Sequence, residues 1–177
     1  MENEPNQHHQ NGEKILGKGM LYIGWICVLG LLTFVFGRWE SFQDNPNQSL
    51  SDLSKNGVRE VTLAANRQHH YLANGEINGE AVTFLLDTGA TDVVIPQNLA
   101  KKLGLRAGAR GYATTANGDV EIRYTEIAKL SLGSIELRSV QASINPGMTG
   151  KEILLGMSAL KQVELIQKNN QLTLRQY

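Results

Sequence analysis

Only one cysteine occurs in the 177 residues, Cys27, and it lies inside an apolar run. An intrachain disulfide is therefore excluded, as is any zinc site built on cysteine, and cysteine usage says little about compartment. An excess of charge of either sign is also missing. Seventeen Lys and Arg balance 17 Asp and Glu for a formal net charge of zero, and no basic stripe gathers in the C-terminal part, so nucleic acid and other polyanions are not expected partners. Neither a Gly-x-Ser-x-Gly elbow nor a P-loop occurs, which leaves a serine hydrolase or a nucleotide enzyme without support. The pairs His8-His9 and His69-His70 do not make a metal site: adjacent residues of a strand point to opposite faces, and a polar tail has no fixed geometry. No metal or cofactor is expected.

What is present divides the chain into four parts. Residues 1–18 are polar, with Glu, Asn, Gln and His in close succession, a composition that cannot bury a core and predicts a disordered tail. Residues 19–39 hold the run GMLYIGWICVLGLLTFVFG, 19 uncharged residues, which at about 1.5 Å per residue nearly matches a hydrocarbon core and predicts a transmembrane helix. The run exceeds a signal-peptide core, and GRWESFQDNP after it offers no small-x-small cleavage site, so the anchor stays attached. Lys14 and Lys18 before the span and Arg38 after it bias the N-terminus only slightly towards the cytoplasm. Residues 40–57, rich in Ser, Asn, Gln and Asp, predict a flexible tether. Residues 58–177 are left as one folded domain.

Within that domain the pattern is of short apolar alternations broken by turn pairs: VREVTLAA, HYLANGEI, EAVTFLL, GYATTA, DVEIRYTEIAKLSL. Asn78-Gly79 and Asn117-Gly118 suit type I′ turns, whose two central residues both need positive φ, and Gly133-Ser134 is a further hairpin signal. Helical pieces are predicted from Pro96 to Leu103, ended by Gly104, and from about Gly156 through MSALKQ. VELIQ, KNN and QLTLR form a last hairpin. The expectation is a mostly β, mostly antiparallel domain with one or two short helices.

The most informative stretch is Phe84-Leu85-Leu86-Asp87-Thr88-Gly89-Ala90. An apolar run, expected to be buried on both faces, delivers a carboxylate into a turn of small residues, where desolvation is costly without dedicated partners. Thr88 can brace neighbouring backbone, and Gly89 lets another segment approach. Alone, Asp-Thr-Gly is also an ordinary turn opener, because aspartate bonds its own backbone two residues on. The context goes further. The chain resembles the retropepsin-like aspartic peptidases, in which an apolar strand leads into Asp-Thr/Ser-Gly-Ala and then into a second strand and a helix; TDVVIPQNLAKKLGL continues it here. A late apolar pair before Gly, Ile153-Leu154-Leu155-Gly156-Met157, and a flap hairpin, Tyr112 to Asp119, complete three landmarks in family order over Val58 to Leu174. More narrowly, the chain is similar to single-domain bacterial members with one N-terminal membrane span.

The resemblance implies a retropepsin-like half-barrel and an aspartic endopeptidase with Asp87, Thr88 and Gly89 as catalytic loop. It implies Ala90, Asp92 and the flap residues Thr115, Ala116, Asn117 and Gly118 as peptide-binding, and a peptide or protein as substrate. It also implies a single-pass protein of a bacterial inner membrane with a periplasmic catalytic domain. The chemistry needs two carboxylates sharing a proton around one water, but Asp44, Asp52, Asp92 and Asp119 are followed by Asn-Pro, Leu-Ser, Val-Val and Val-Glu. The second carboxylate therefore has to be Asp87 of another copy, across a two-fold axis. Two departures bear on that dimer. Retroviral members have Arg after the late Gly where Met157 and Ser158 stand here, and their interleaved chain ends have a counterpart only in QLTLRQY. The rival expectation is a membrane-anchored binding or scaffold module that keeps the fold and cleaves nothing.

Overall fold

The computed structural model describes residues 8–55, 57–115 and 118–177. It divides into two units, one ending at Ser41 and one comprising Phe42–Tyr177. The first is helical: α1 spans His8–Asp44. Its Met20–Asp44 stretch is long and apolar enough to cross a membrane, and none of it is buried. The helix is longer than the predicted span at both ends. Residues 8–18, expected as tail, are helical, since Gln, Glu, Lys and Leu there are good helix formers and no proline intervenes; residues 1–7 lie outside the described residues. At the other end Pro46 disfavours helical conformation in Asn45, and α1 stops at Asp44.

The predicted tether differs most. Asn47 is buried, at 5% exposure, and its side chain replaces a piece of strand. Its Nδ2 donates to Ala64 O (2.9 Å) and Leu72 O (2.6 Å), while its Oδ1 accepts from Ala64 N (2.7 Å). Asn45 turns the chain by accepting Asn47 N (3.0 Å) and donates to Asn74 Oδ1 (2.9 Å). Ser51–Lys55 then forms a strand, β1. A composition suited to loops thus builds structure, because an asparagine amide offers the same donor and acceptor as a peptide group.

Two sheets follow. The smaller is antiparallel, with order β1-β2-β11-β10, where β2 is Val58–Ala64, β10 Glu164–Lys168 and β11 Gln171–Gln176. The larger has order β3-β4-β9-β5-β8-β7-β6, from β3 Leu72–Ile77, β4 Glu80–Leu86, β5 Val93–Pro96, β6 Arg110–Thr115, β7 Gly118–Leu132, β8 Ile135–Asn145 and β9 Glu152–Leu155. β3 also pairs with β7 through Glu76–Ser131 and Ile77–Leu130. Short helices α2 (Gln97–Lys102) and α3 (Met157–Leu160) follow β5 and β9. Alternation buries Val61 and Leu63 of β2, and Leu172 and Leu174 of β11, in one cluster with Phe84 and Ile153 of the larger sheet. The two sheets thus share a core.

Two hairpin turns agree with their sequence signals: Asn78 and Gly79 both take positive φ, 53° and 86°, as do Asn169 and Asn170, 51° and 58°. The larger sheet is mixed, with two parallel pairings among antiparallel ones. β9 enters between β4 and β5, parallel to β4 (Thr83–Glu152 to Leu86–Leu155) and antiparallel to β5 at Val94–Leu154. β5 in turn runs parallel to β8. The loop from β4 to β5 therefore passes over the C-terminal end of β9, and that crossing holds Asp87.

Candidate active site

β4 hands over to the loop at Asp87, whose amide continues the ladder by donating to Leu155 O (3.1 Å). Of the apolar run, Phe84 is fully buried, whereas Leu85 and Leu86 are half-buried; the strand is not sealed on both faces as expected, because β4 here approaches the open end of the sheet. Asp87 is half-buried, and Thr88 and Gly89 are exposed. A turn closes through Ala90 N to Asp87 O (3.2 Å), and Gly89 N donates to Asp87 Oδ1 (2.8 Å). That bond fixes the carboxylate against its own loop and leaves Oδ2 without a protein donor among the described residues. Thr88 has no hydrogen bond among the described residues.

The loop rests on the residues after β9. Met157 N donates to Ala90 O and Ser158 N to Thr91 O, both at 2.8 Å. The amides opening α3 thus take up the carbonyls of the loop, which satisfies groups that a helix start leaves unpaired. Gly156 makes this approach possible: a Cβ there would collide with the carbonyl oxygens of Ala90 and Asp92. Ser158, 6% exposed, was flagged in the sequence only as a departure from Arg. Its Oγ accepts Val93 N (3.0 Å) and donates to Gln141 O (2.7 Å), tying the start of β5 to β8 directly behind the loop. Only its small size after Gly156 could have hinted at this position.

The predicted peptide-binding residues fall in two places. Ala90 and Asp92 belong to the Asp87 loop, both half-buried, with Asp92 contributing its carbonyl over Gly156. Thr115 and Gly118 lie on the β6–β7 hairpin at the edge of the sheet, where Thr115 Oγ1 donates to Gly118 O and Thr114 Oγ1 to Asp119 Oδ1, each at 2.8 Å. Ala116 and Asn117, expected in the flap, lie outside the described residues. A cavity of about 280 Å³ lined by Asn74, Thr83, Leu99, Lys102 and Lys151 sits at the other end of β4, since Thr83 pairs with Glu152 at the start of β9. It is separate from the aspartate loop.

Comparison with known proteins places this geometry. Residues 73–162, from β3 to just past α3, match the family model described as "gag-polyprotein putative aspartyl protease". The chain is 27% identical to an uncharacterized Sinorhizobium protein encoded in the cobV 5′ region over 134 residues, 73% of this chain and 58% of that protein. It is 28% identical to an uncharacterized Rickettsia prowazekii protein over 109 residues, 59% of this chain and 46% of that one. The chain thus spans about half the length of the curated relatives it matches. Among solved structures, a retropepsin-like aspartic protease from Rickettsia conorii shares the fold with a TM-score of 0.57 and 24% identity, over 72% of this chain and 94% of that one.

Proposed function

The chain belongs to the family of gag-polyprotein putative aspartyl proteases, whose model spans half its length, and on that premise we propose that it is an aspartic endopeptidase assembled from two copies of itself. The observation that carries the proposal is the placing of Asp87. A carboxylate stands at a strand end, one oxygen held by Gly89 N and the other without a donor among the described residues, on a loop whose backbone is pinned from below by Met157, Ser158 and Gly156. Such pinning gives a reacting group a fixed position without occupying it, which is what acid–base work on a bound water requires.

In the dimer, the two Asp87 carboxylates face each other across the axis with one water and one shared proton between them. The ionised carboxylate takes a proton from the water as its oxygen attacks the scissile carbonyl carbon. The protonated carboxylate gives its proton to the developing oxyanion, forming a neutral gem-diol. Collapse of that diol breaks the C–N bond as the amine takes up a proton, and the dyad returns to its starting state. Thr88 and Gly89 shape the loop, Ala90 and Asp92 border the bound backbone, and Thr115, Ala116, Asn117 and Gly118 close over the substrate as a flap. The helix Met20–Asp44 anchors the protein in a bacterial inner membrane with the catalytic domain on the periplasmic side, where peptides or membrane-near proteins are its substrates.

The test uses the full chain in detergent, with a denatured protein as substrate, from pH 3 to 7. Wild type is expected to cleave and Asp87→Asn to be inactive. Equal cleavage by both, or none by either when the chain is dimeric, overturns the proposal.

A further inference from the structure

Resting on that reading, in which the site is incomplete without a second Asp87, we infer that the second copy docks through the free edge of β10, adding strand to strand antiparallel about Ile166. The chain end QLTLRQY, which the sequence offered as the pairing strand, is not available. β11 is an inner strand, bonded to β2 on one side and to β10 on the other. The smaller sheet leaves two edges, β1 and β10, and two observations distinguish them.

The first is position. α3, whose opening amides hold the Asp87 loop, leads through Lys161–Val163 directly into β10. From β10, Gln167 Nε2 donates to the Tyr71 hydroxyl (3.2 Å), and Tyr71 O accepts the amide of Leu86, the residue before Asp87 (3.0 Å). β10 is therefore fastened to the aspartate loop from two directions, whereas β1 lies at the opposite edge, beyond β11 and β2.

The second is charge. An antiparallel pair of Glu164-Leu165-Ile166-Gln167-Lys168 strands centred on Ile166 sets each Glu164 opposite the other copy's Lys168, a favourable cross-strand pairing made twice by the symmetry. The same operation on Ser51-Asp52-Leu53-Ser54-Lys55 sets Lys55 opposite Ser51 and Asp52 opposite Ser54, with no opposite charges matched.

Both edges carry an apolar residue at the centre. Ile166 lies 37% exposed in a strand edge, on the face with Glu164 and Lys168, and the pairing would place it directly against its twin. Leu53 of β1 is more exposed, at 68%, but it sits on the edge remote from the loop. β10 carries neither proline nor a bulge, two of the devices that blunt a free edge, since its register with β11 runs unbroken over all five residues. Pairing there joins two four-stranded sheets into one of eight and relates the two Asp87 loops by the same axis.

The experiment is disulfide trapping in the full chain, in detergent and in a Cys27→Ser background so that a single thiol remains. Directly opposed residues of antiparallel strands are within disulfide reach, so Ile166→Cys is expected to give a covalent dimer on mild oxidation and Leu53→Cys to remain monomeric. Lys168→Glu opposes like charges at both ends of the pair and is expected to raise the dimer dissociation constant about tenfold, with Glu164→Lys added in the same chain restoring it to within about threefold of wild type. Crosslinking at Leu53 in preference to Ile166, or a dissociation constant unmoved by Lys168→Glu, overturns the inference. These readouts do not depend on cleavage. A wild type that cleaves while the Ile166→Cys form stays monomeric rejects the β10 edge and leaves the peptidase reading in place; a crosslinked dimer with no cleavage by wild type does the reverse.

Discussion

Gly156 lies directly beneath Asp92, so close to its carbonyl oxygen that no side chain can stand between them. The backbone of Gly156 itself is extended (φ −88°, ψ −173°), a conformation any residue adopts, so the need for glycine there comes from the neighbour and not from the chain's own torsion. Gly156→Ala is accordingly expected to push the 90–92 segment off its bonds to Met157 and Ser158. We expect a loss of about 2 kcal/mol of stability or more, as overpacking of a rigid site does, together with most of the peptidase activity. Thermal unfolding and cleavage rate measured on the same preparation check both.

Ser158 provides a gentler test of the same support. Ser158→Ala removes the hydroxyl that serves Val93 N and Gln141 O, leaving a buried amide unsatisfied, at about 1–3 kcal/mol. Because the α3 amides and Gly156 remain, the loop should keep its shape, and kcat should fall less than in Gly156→Ala. A stability unchanged from wild type would show that water or a shifted backbone replaces the hydroxyl.

A dyad shared between copies has a signature in mixing. Asp87→Asn alone should lose at least about 10³-fold in kcat, the scale of general acid–base catalysis by a positioned group. Mixed at equal concentration with wild type and allowed to exchange, it should bring activity per wild-type subunit to about half, because random pairing leaves half of the wild-type subunits in mixed, single-aspartate dimers. Activity that stays additive would place the whole site within one chain.

The start of the folded domain can be located by truncation. A chain beginning at Val58 lacks β1 and all three Asn47 side-chain bonds to Ala64 and Leu72, whereas one beginning at Phe42 keeps them. The longer fragment is expected to unfold cooperatively, and the shorter to be less stable or aggregated. In the full chain, Asn47→Ala should cost about 2–3 kcal/mol, as each lost bond leaves a partner short in a dry site. Urea unfolding followed by tryptophan-independent circular dichroism suits all these forms.

Much of the domain was legible because its signals are local. Asn78-Gly79 needs two positive φ values, and it turns where it stands; Gly104, also at positive φ, closes the helix that begins after Pro96. Asp87-Thr88-Gly89 was recognisable as a loop after an apolar strand for the same reason. The role of Asn47 is not legible in the sequence, because the composition around it signals a loop while its amide finds backbone groups of residues 17 and 25 positions away. Ser158 was seen only as a departure from a family pattern, since nothing near it in sequence names Val93 or Gln141 as its partners.

From its own residues, then, the chain determines where the tight turns of its folded domain fall, which segment is long and apolar enough for a membrane, and which aspartate stands at a strand end. Each of these depends on torsional preference or on solvation over a few neighbouring residues. Tertiary structure alone decided that β9 enters between β4 and β5, that β11 is enclosed and β10 left at an edge, and that the Asp87 loop rests on Gly156. Those outcomes join groups from 60 to 117 residues apart through backbone hydrogen bonds, which every residue but proline can make, so no side-chain pattern announces the partner.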